Sequence, residues 1–146
     1  MTLETKMQTE AMVLLDGDKR TGYAEDEYFV YLILAYYAIR IPKSRFYLNK
    51  ELLIKRRTDI FQSGKLMGNE KLEISEEMRK ISKNNVVLLK CDKFTTGINE
   101  KYLKLLVRKD CELYAADEKS AVYFVVNNEI YAVCMPVSLK KENPVC

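Results

Sequence analysis

Hydrophobic and polar positions change rhythm several times along the chain, and each change marks a predicted element. After a polar start, Ala11–Leu15 reads as a short strand closed by Asp16-Gly17-Asp18, a strong turn signal. Gly22 marks another break. The run Tyr28–Ile41 is continuously apolar and rich in Val, Ile and Tyr. Periodicity there does not separate a buried strand from a buried helix; branched and aromatic side chains favour strand, one or two with a bend near Leu34-Ala35. Pro42 ends the run, because it has no N–H to donate to a ladder.

Asn49 is placed to cap a short helix over Lys50–Arg57. Ser63 to Asn69, with Gly64 and Gly68, reads as loop. Ser75 to Lys83 is predicted as a second helix, with Glu76 and Glu77 suited to its positive end and Asn84-Asn85 as its stop. Val86–Cys91 is a strand. A third helix starts from Asn99, because Ile98, Tyr102, Leu105 and Leu106 fall at i, i+4, i+7 and i+8. Three strands follow, Cys111–Ala115, Ala121–Val126 and Glu129–Val137. Asn127-Asn128 divides the last two, since asparagine tolerates the positive φ of a tight hairpin. The prediction is an α+β fold: one mostly antiparallel sheet with about three short helices packed on one face, in a single domain. The polar ends, residues 1–10 and 140–146, are expected to be flexible.

Composition narrows the functional classes. The chain has 146 residues, 48% of them hydrophobic, enough for a core without disulfide or metal staples. It contains no histidine, which excludes the usual Ser/His and Cys/His nucleophile pairs and any Cys/His zinc set. The four cysteines, Cys91, Cys111, Cys134 and Cys146, form no C-x-x-C pair. Phosphate-binding glycine loops are absent, and the neighbouring carboxylates Asp26/Glu27 and Glu76/Glu77 point in different directions on any regular element. The expectation is a non-enzymatic, cytoplasmic protein with reduced thiols, no cofactor and no metal. Tyr28–Ile39 is too short to span a bilayer, so no membrane association is expected.

Net charge is only +3, from 24 basic and 21 acidic residues, so its distribution matters more than its sum. Lys101, Lys104 and Arg108 line one face of the helix from Asn99. Lys50, Lys55, Arg56 and Arg57 lie in the segment after Asn49. Two short helices with apolar backs and basic fronts would offer phosphates a common surface; the plainer reading is a solvated face. The hairpin strands are apolar on both faces. In the last strand Ile130, Ala132 and Cys134 alternate with Tyr131, Val133, Met135 and Val137. One face meets helices; the other packs on the Tyr28–Ile39 segment or meets a partner.

The C-terminal half carries a resemblance. Asn99 to Val107 (N-E-K-Y-L-K-L-L-V) is followed by Glu112-Leu113-Tyr114, a turn at Asp117 to Ser120, and Ala121-Val122-Tyr123-Phe124. The last strand then ends Val133-Cys134-Met135-Pro136-Val137-Ser138-Leu139. This order resembles the last half-domain of a bacterial or phage DNA sliding clamp. Upstream, Tyr37-Ala38-Ile39-Arg40-Ile41-Pro42 with Phe46-Tyr47-Leu48 is similar to the matching strand of the first half. The resemblance implies helices on a DNA-facing side, and a hydrophobic groove near Met135-Pro136 that receives short peptides. It departs in holding one such domain and in having Ser138 where the family carries a basic residue. Three readings follow: a clamp-like protein binding duplex DNA through its basic helices and protein through Tyr131, Val133, Met135, Pro136 and Val137; a phage or mobile-element module inhibiting a host enzyme such as a defence nuclease; and an enzyme. A homo-oligomer is compatible with the first.

Overall fold

The computed structural model describes residues 2–16, 21–56, 61 and 66–139, and only the backbone of residues 10–16. Arg57, the Gly17-Asp18 half of the first turn, Gly64 and the tail 140–146 lie outside the described residues.

The chain opens with helix α1, Leu3–Asp16, where a flexible end and a strand at Ala11–Leu15 were expected. Thr2 starts it: its Oγ1 accepts from Thr5 N at 3.2 Å, and its carbonyl accepts from Lys6 N. Leu3, Met7, Ala11 and Leu14 recur at helical spacing, a signal hidden by the continuous apolar run Ala11–Leu15. Met7 and Gln8 are fully buried, and α1 packs on strand β3.

Strands β1 (Gly22–Glu25), β2 (Phe29–Ile33) and β3 (Tyr37–Pro42) form an antiparallel meander. Of the readings the apolar run left open, strand is the one adopted, in two pieces that break at Leu34-Ala35 and end at Pro42. Asn49 does cap, accepting from Glu51 N at 3.0 Å, but the helix expected over Lys50–Arg57 is only a 3-10 turn, Lys50–Leu52. Ile54–Lys55 then pairs parallel with β1 as strand β4. That pairing takes the backbone bonds a helix would need, with Ile54 N donating to the Thr21 carbonyl and Arg56 N to that of Tyr23.

The helix expected at Ser75–Lys83 is also a strand. β5 runs from Glu70 to Ile81, turns at Ser82-Lys83, and pairs with β6, Asn84–Lys90. The buried apolar run Val86–Leu89 supplies a partner that outweighs local helix propensity. β7, Thr95–Asn99, was not anticipated. Helix α2, Glu100–Leu106, follows as predicted; Asn99 Oδ1 accepts from Lys101 N at 2.9 Å. β8 (Glu112–Ala115), β9 (Val122–Val126) and β10 (Glu129–Cys134) complete the chain, with Asn127 and Asn128 at φ 52° and 64° in the predicted hairpin. Among the described residues the fold is α+β with two α-helices.

The strand order is β4-β1-β2-β3-β10-β9-β8-β5-β6-β7, antiparallel except between β1 and β4. After β10 the chain crosses to the far edge. Met135 N donates to the Tyr36 carbonyl, and Val137 N donates to the Gly97 carbonyl in β7 at 2.8 Å. The sheet thus curls back on itself around one core holding Met7, Leu32, Ile39, Ile98, Leu106, Phe124 and Tyr131. α2 covers β6 and β7.

Candidate functional site

The predicted basic residues are carried by opposite ends of the strand order. Lys50, Lys55 and Arg56 belong to the segment around β4, whereas Lys101, Lys104 and Arg108 are on or just after α2, against β6 and β7. The two-helix basis for a common basic front is corrected, since the first cluster forms a 3-10 turn and a strand. Several of these cations already hold carboxylates. Lys50 Nζ reaches Glu25, and this hydrogen bond holds the Glu25 carboxyl below its usual value despite some desolvation. Lys104 pairs with Glu100 one turn earlier at 3.7 Å. Arg108 pairs with Glu4 of α1 at 3.2 Å and lies 4.4 Å over the Tyr131 ring. The stem of Arg56 lies over Gly22, where an added Cβ would sit 2.7 Å from its Cγ. Lys55, Arg56 and Lys101 are exposed.

The predicted protein-binding residues divide. Tyr131 and Val133 are both buried, so their assignment to an outer surface is corrected. The cause is a register shift in β10 between Ile130 and Ala132. One extra residue flips the alternation, so Ile130 and Val133 share the smaller cluster with Val125, Phe61 and Leu66. Tyr131, Ala132 and Cys134 turn into the main core. There the Tyr131 hydroxyl donates to the Leu106 carbonyl at 2.6 Å. The second apolar face of the hairpin is thereby covered within the molecule.

Met135, Pro136 and Val137 stay at the surface and are brought together. With Tyr36, Asn84, Asn99, Tyr102 and Ser138 they line a groove of about 290 Å³. Tyr36 and Met135 are 59% and 49% exposed, large values for apolar side chains beside a cavity. Tyr36 stacks against Tyr102 at 6.1 Å between centroids, and Tyr37 meets the same ring at 4.9 Å with the planes tilted by 50°. A second hollow, of about 200 Å³, lies on the other flank of the same segment, between Thr95, Glu118, Lys119, Pro136, Ser138 and Leu139. Sequence reasoning missed Tyr36, Tyr102 and Asn84. Tyr36 sits in the apolar run beside the predicted bend, the one local hint that it could leave the core.

A larger cavity, about 600 Å³, is bounded by Tyr28, Phe29, Tyr31, Phe61, Arg40 and Glu129 among others. Several of its polar groups hold one another: Arg40 lies 4.2 Å over Phe29 and pairs with Glu129 at 3.7 Å, while Asp26 accepts from Tyr28 N, Phe29 N and the Tyr31 hydroxyl. Among the described residues no group of three or more His, Cys, Asp or Glu could hold a metal ion, and no helix is long and apolar enough to cross a membrane. No protein-family model matches the chain, and neither a curated protein nor a solved structure matches it.

Proposed function

We propose that the protein is a non-catalytic binding module whose partner is another protein, taken in the groove beside Met135-Pro136. The observation that carries this reading is the exposed pair Tyr36 and Met135 flanking a groove floored by Tyr102. Tyrosine and methionine are over-represented at interfaces because they offer a large apolar area with either a polar tip or a flexible stem. Asn84 and Ser138 on the rim supply donors and acceptors for a peptide backbone. The occupant is a short extended segment with one large apolar side chain. A module of this kind acts by occupying its partner's surface, as an inhibitor of a host enzyme would.

Short random peptides displayed against the full chain would test it. Selected binders are expected to lose about tenfold in affinity to Tyr36→Ala and to Met135→Ala, the scale of a hot-spot truncation. Binders indifferent to both substitutions would end the groove reading.

Phosphate contact, as in a clamp-like protein, is the second reading; the exposure of Lys101 and Lys104 on α2 favours it. Glu100, Glu4 and Glu25 oppose it by neutralising neighbouring cations. Titrating nonspecific duplex DNA at two salt concentrations separates the two. The protein-binding reading expects little affinity even at low salt. Strong, salt-dependent binding that weakens in a Lys101→Ala/Lys104→Ala/Arg108→Ala variant would restore the DNA reading.

A further inference from the structure

Every side chain lining the groove beside Met135-Pro136 is neutral. An anchor buried there is neutral too, because a carboxylate or an ammonium would lose its water without gaining a partner. Discrimination by charge therefore falls to the rim.

β6 and β7 run antiparallel with Val86 opposite Asn99, so β6 starts at the end of the sheet where β7 finishes. Asn84 and Asn99 carry the groove to that end. Lys83 immediately precedes Asn84 in the hairpin turn, and Lys101 lies between Asn99 and Tyr102 on the first turn of α2. Both lysines are exposed. Among the described residues neither is paired with a carboxylate, in contrast to Lys50, Lys90 and Lys104. Glu100, next to Lys101 in the chain, is already taken by Lys104 at 3.7 Å. The other flank of Met135-Pro136 differs, since Lys119 follows Asp117 and Glu118 and its charge is matched there. Two unmatched ammonium groups at one end of a neutral groove leave a positive potential for a partner's carboxylates to answer. Lysine suits a wet rim, being a point charge on a long flexible stem.

We infer that the segment taken in the groove is an acidic peptide, with Asp or Glu beside its apolar anchor to meet Lys83 and Lys101. This rests on the groove reading above and adds the charge of the partner. The same lysines repel basic segments, so they select among apolar peptides that would otherwise fit equally well.

The test titrates three synthetic peptide pools against the full chain by fluorescence anisotropy, at low and high salt. All carry Phe, Leu or Met at a central position. Its neighbours are Asp and Glu in the first pool, Asn and Gln in the second, and Lys and Arg in the third. The acidic pool is expected to bind roughly fivefold tighter than the neutral one, the upper end of what a solvent-exposed ion pair contributes, and the basic pool more weakly. Raising the salt narrows both differences. Lys83→Glu/Lys101→Glu, confirmed folded by circular dichroism, reverses the order of the charged pools and leaves the neutral pool as it was. Lys43→Glu, at the far end of β3 from Tyr36, leaves the order unchanged. Tyr36→Ala weakens all three pools. Pools that bind alike yet all depend on Tyr36 overturn the acidic partner and leave the groove standing. No binding by any pool, or binding that Tyr36→Ala spares, overturns both. Nonspecific duplex DNA that displaces the acidic pool but not the neutral one assigns the lysines to phosphate, and this inference falls.

Discussion

Gln8 shows how one buried polar residue ties distant parts of this chain together. Its Nε2 donates to the carbonyls of Glu4 and Arg45, and its Oε1 accepts from Tyr47 N at 2.8 Å. Gln8→Ala removes its bonds to the backbone of Glu4, Arg45 and Tyr47 from a fully buried position and is expected to cost about 2 kcal/mol, read from urea denaturation. Tyr131→Phe removes the hydroxyl that bonds the Leu106 carbonyl, and about 1 kcal/mol is expected. Burial pushes the Cys134 thiol up to about 12, so it should resist thiol reagents in the native protein and react only on unfolding. The caps Asn49 and Asn99 were legible in the sequence because a cap is decided by its own two or three neighbours. The burial of Tyr131 was not, because a single extra residue in β10 reverses which side chains face inward.

At the scale of elements, the hairpins follow from their turns. Asn128 at φ 64° has a conformation that asparagine and glycine accept and alanine resists. Asn128→Gly is expected to hold or slightly raise the melting temperature, whereas Asn128→Ala lowers stability by about 1 kcal/mol. Gly97 is required for a different reason. A Cβ there would meet Val86 Cγ1 at 2.6 Å and Leu139 Cδ2 at 2.9 Å, at the point where β7 receives Val137. β5 misled the sequence reading because acidic residues ahead of basic ones suit a helix dipole as well as they suit a charged edge. Only pairing with β6 decides between the two. α1 was missed because Ala11–Leu15 is continuously apolar, and a short run of that kind reads as buried strand as readily as helix.

For the whole molecule, acid is the expected weak point. Glu77 and Glu112 are held below the usual carboxyl range first by hydrogen bonds from Lys90 and Lys71, and Asp117 by backbone N–H groups and Ser120. Burial raises Asp26, but bonds from Tyr31, Phe29 and Tyr28 outweigh it and the net shift is downward. With folded values below unfolded ones, the unfolded chain binds more protons through the acid range. The stability these groups contribute is therefore present above about pH 5 and lost as pH falls toward about 2. Thermal melts across that range should show a falling midpoint, and a flat profile would contradict these assignments.

From its residues alone, the chain shows that Asn49 and Asn99 cap, that Asn127-Asn128 turns a hairpin, that the run before Pro42 favours strand, and that a helix follows Asn99. All of these depend on neighbours a few positions away. Only the tertiary structure decides that Glu4 neutralises Arg108 from 104 residues away, that β7 closes onto Val137, and that Met135 comes to rest beside Tyr36 and Tyr102. Charge pairing and groove formation depend on which distant segments meet, and local backbone preference carries no record of that.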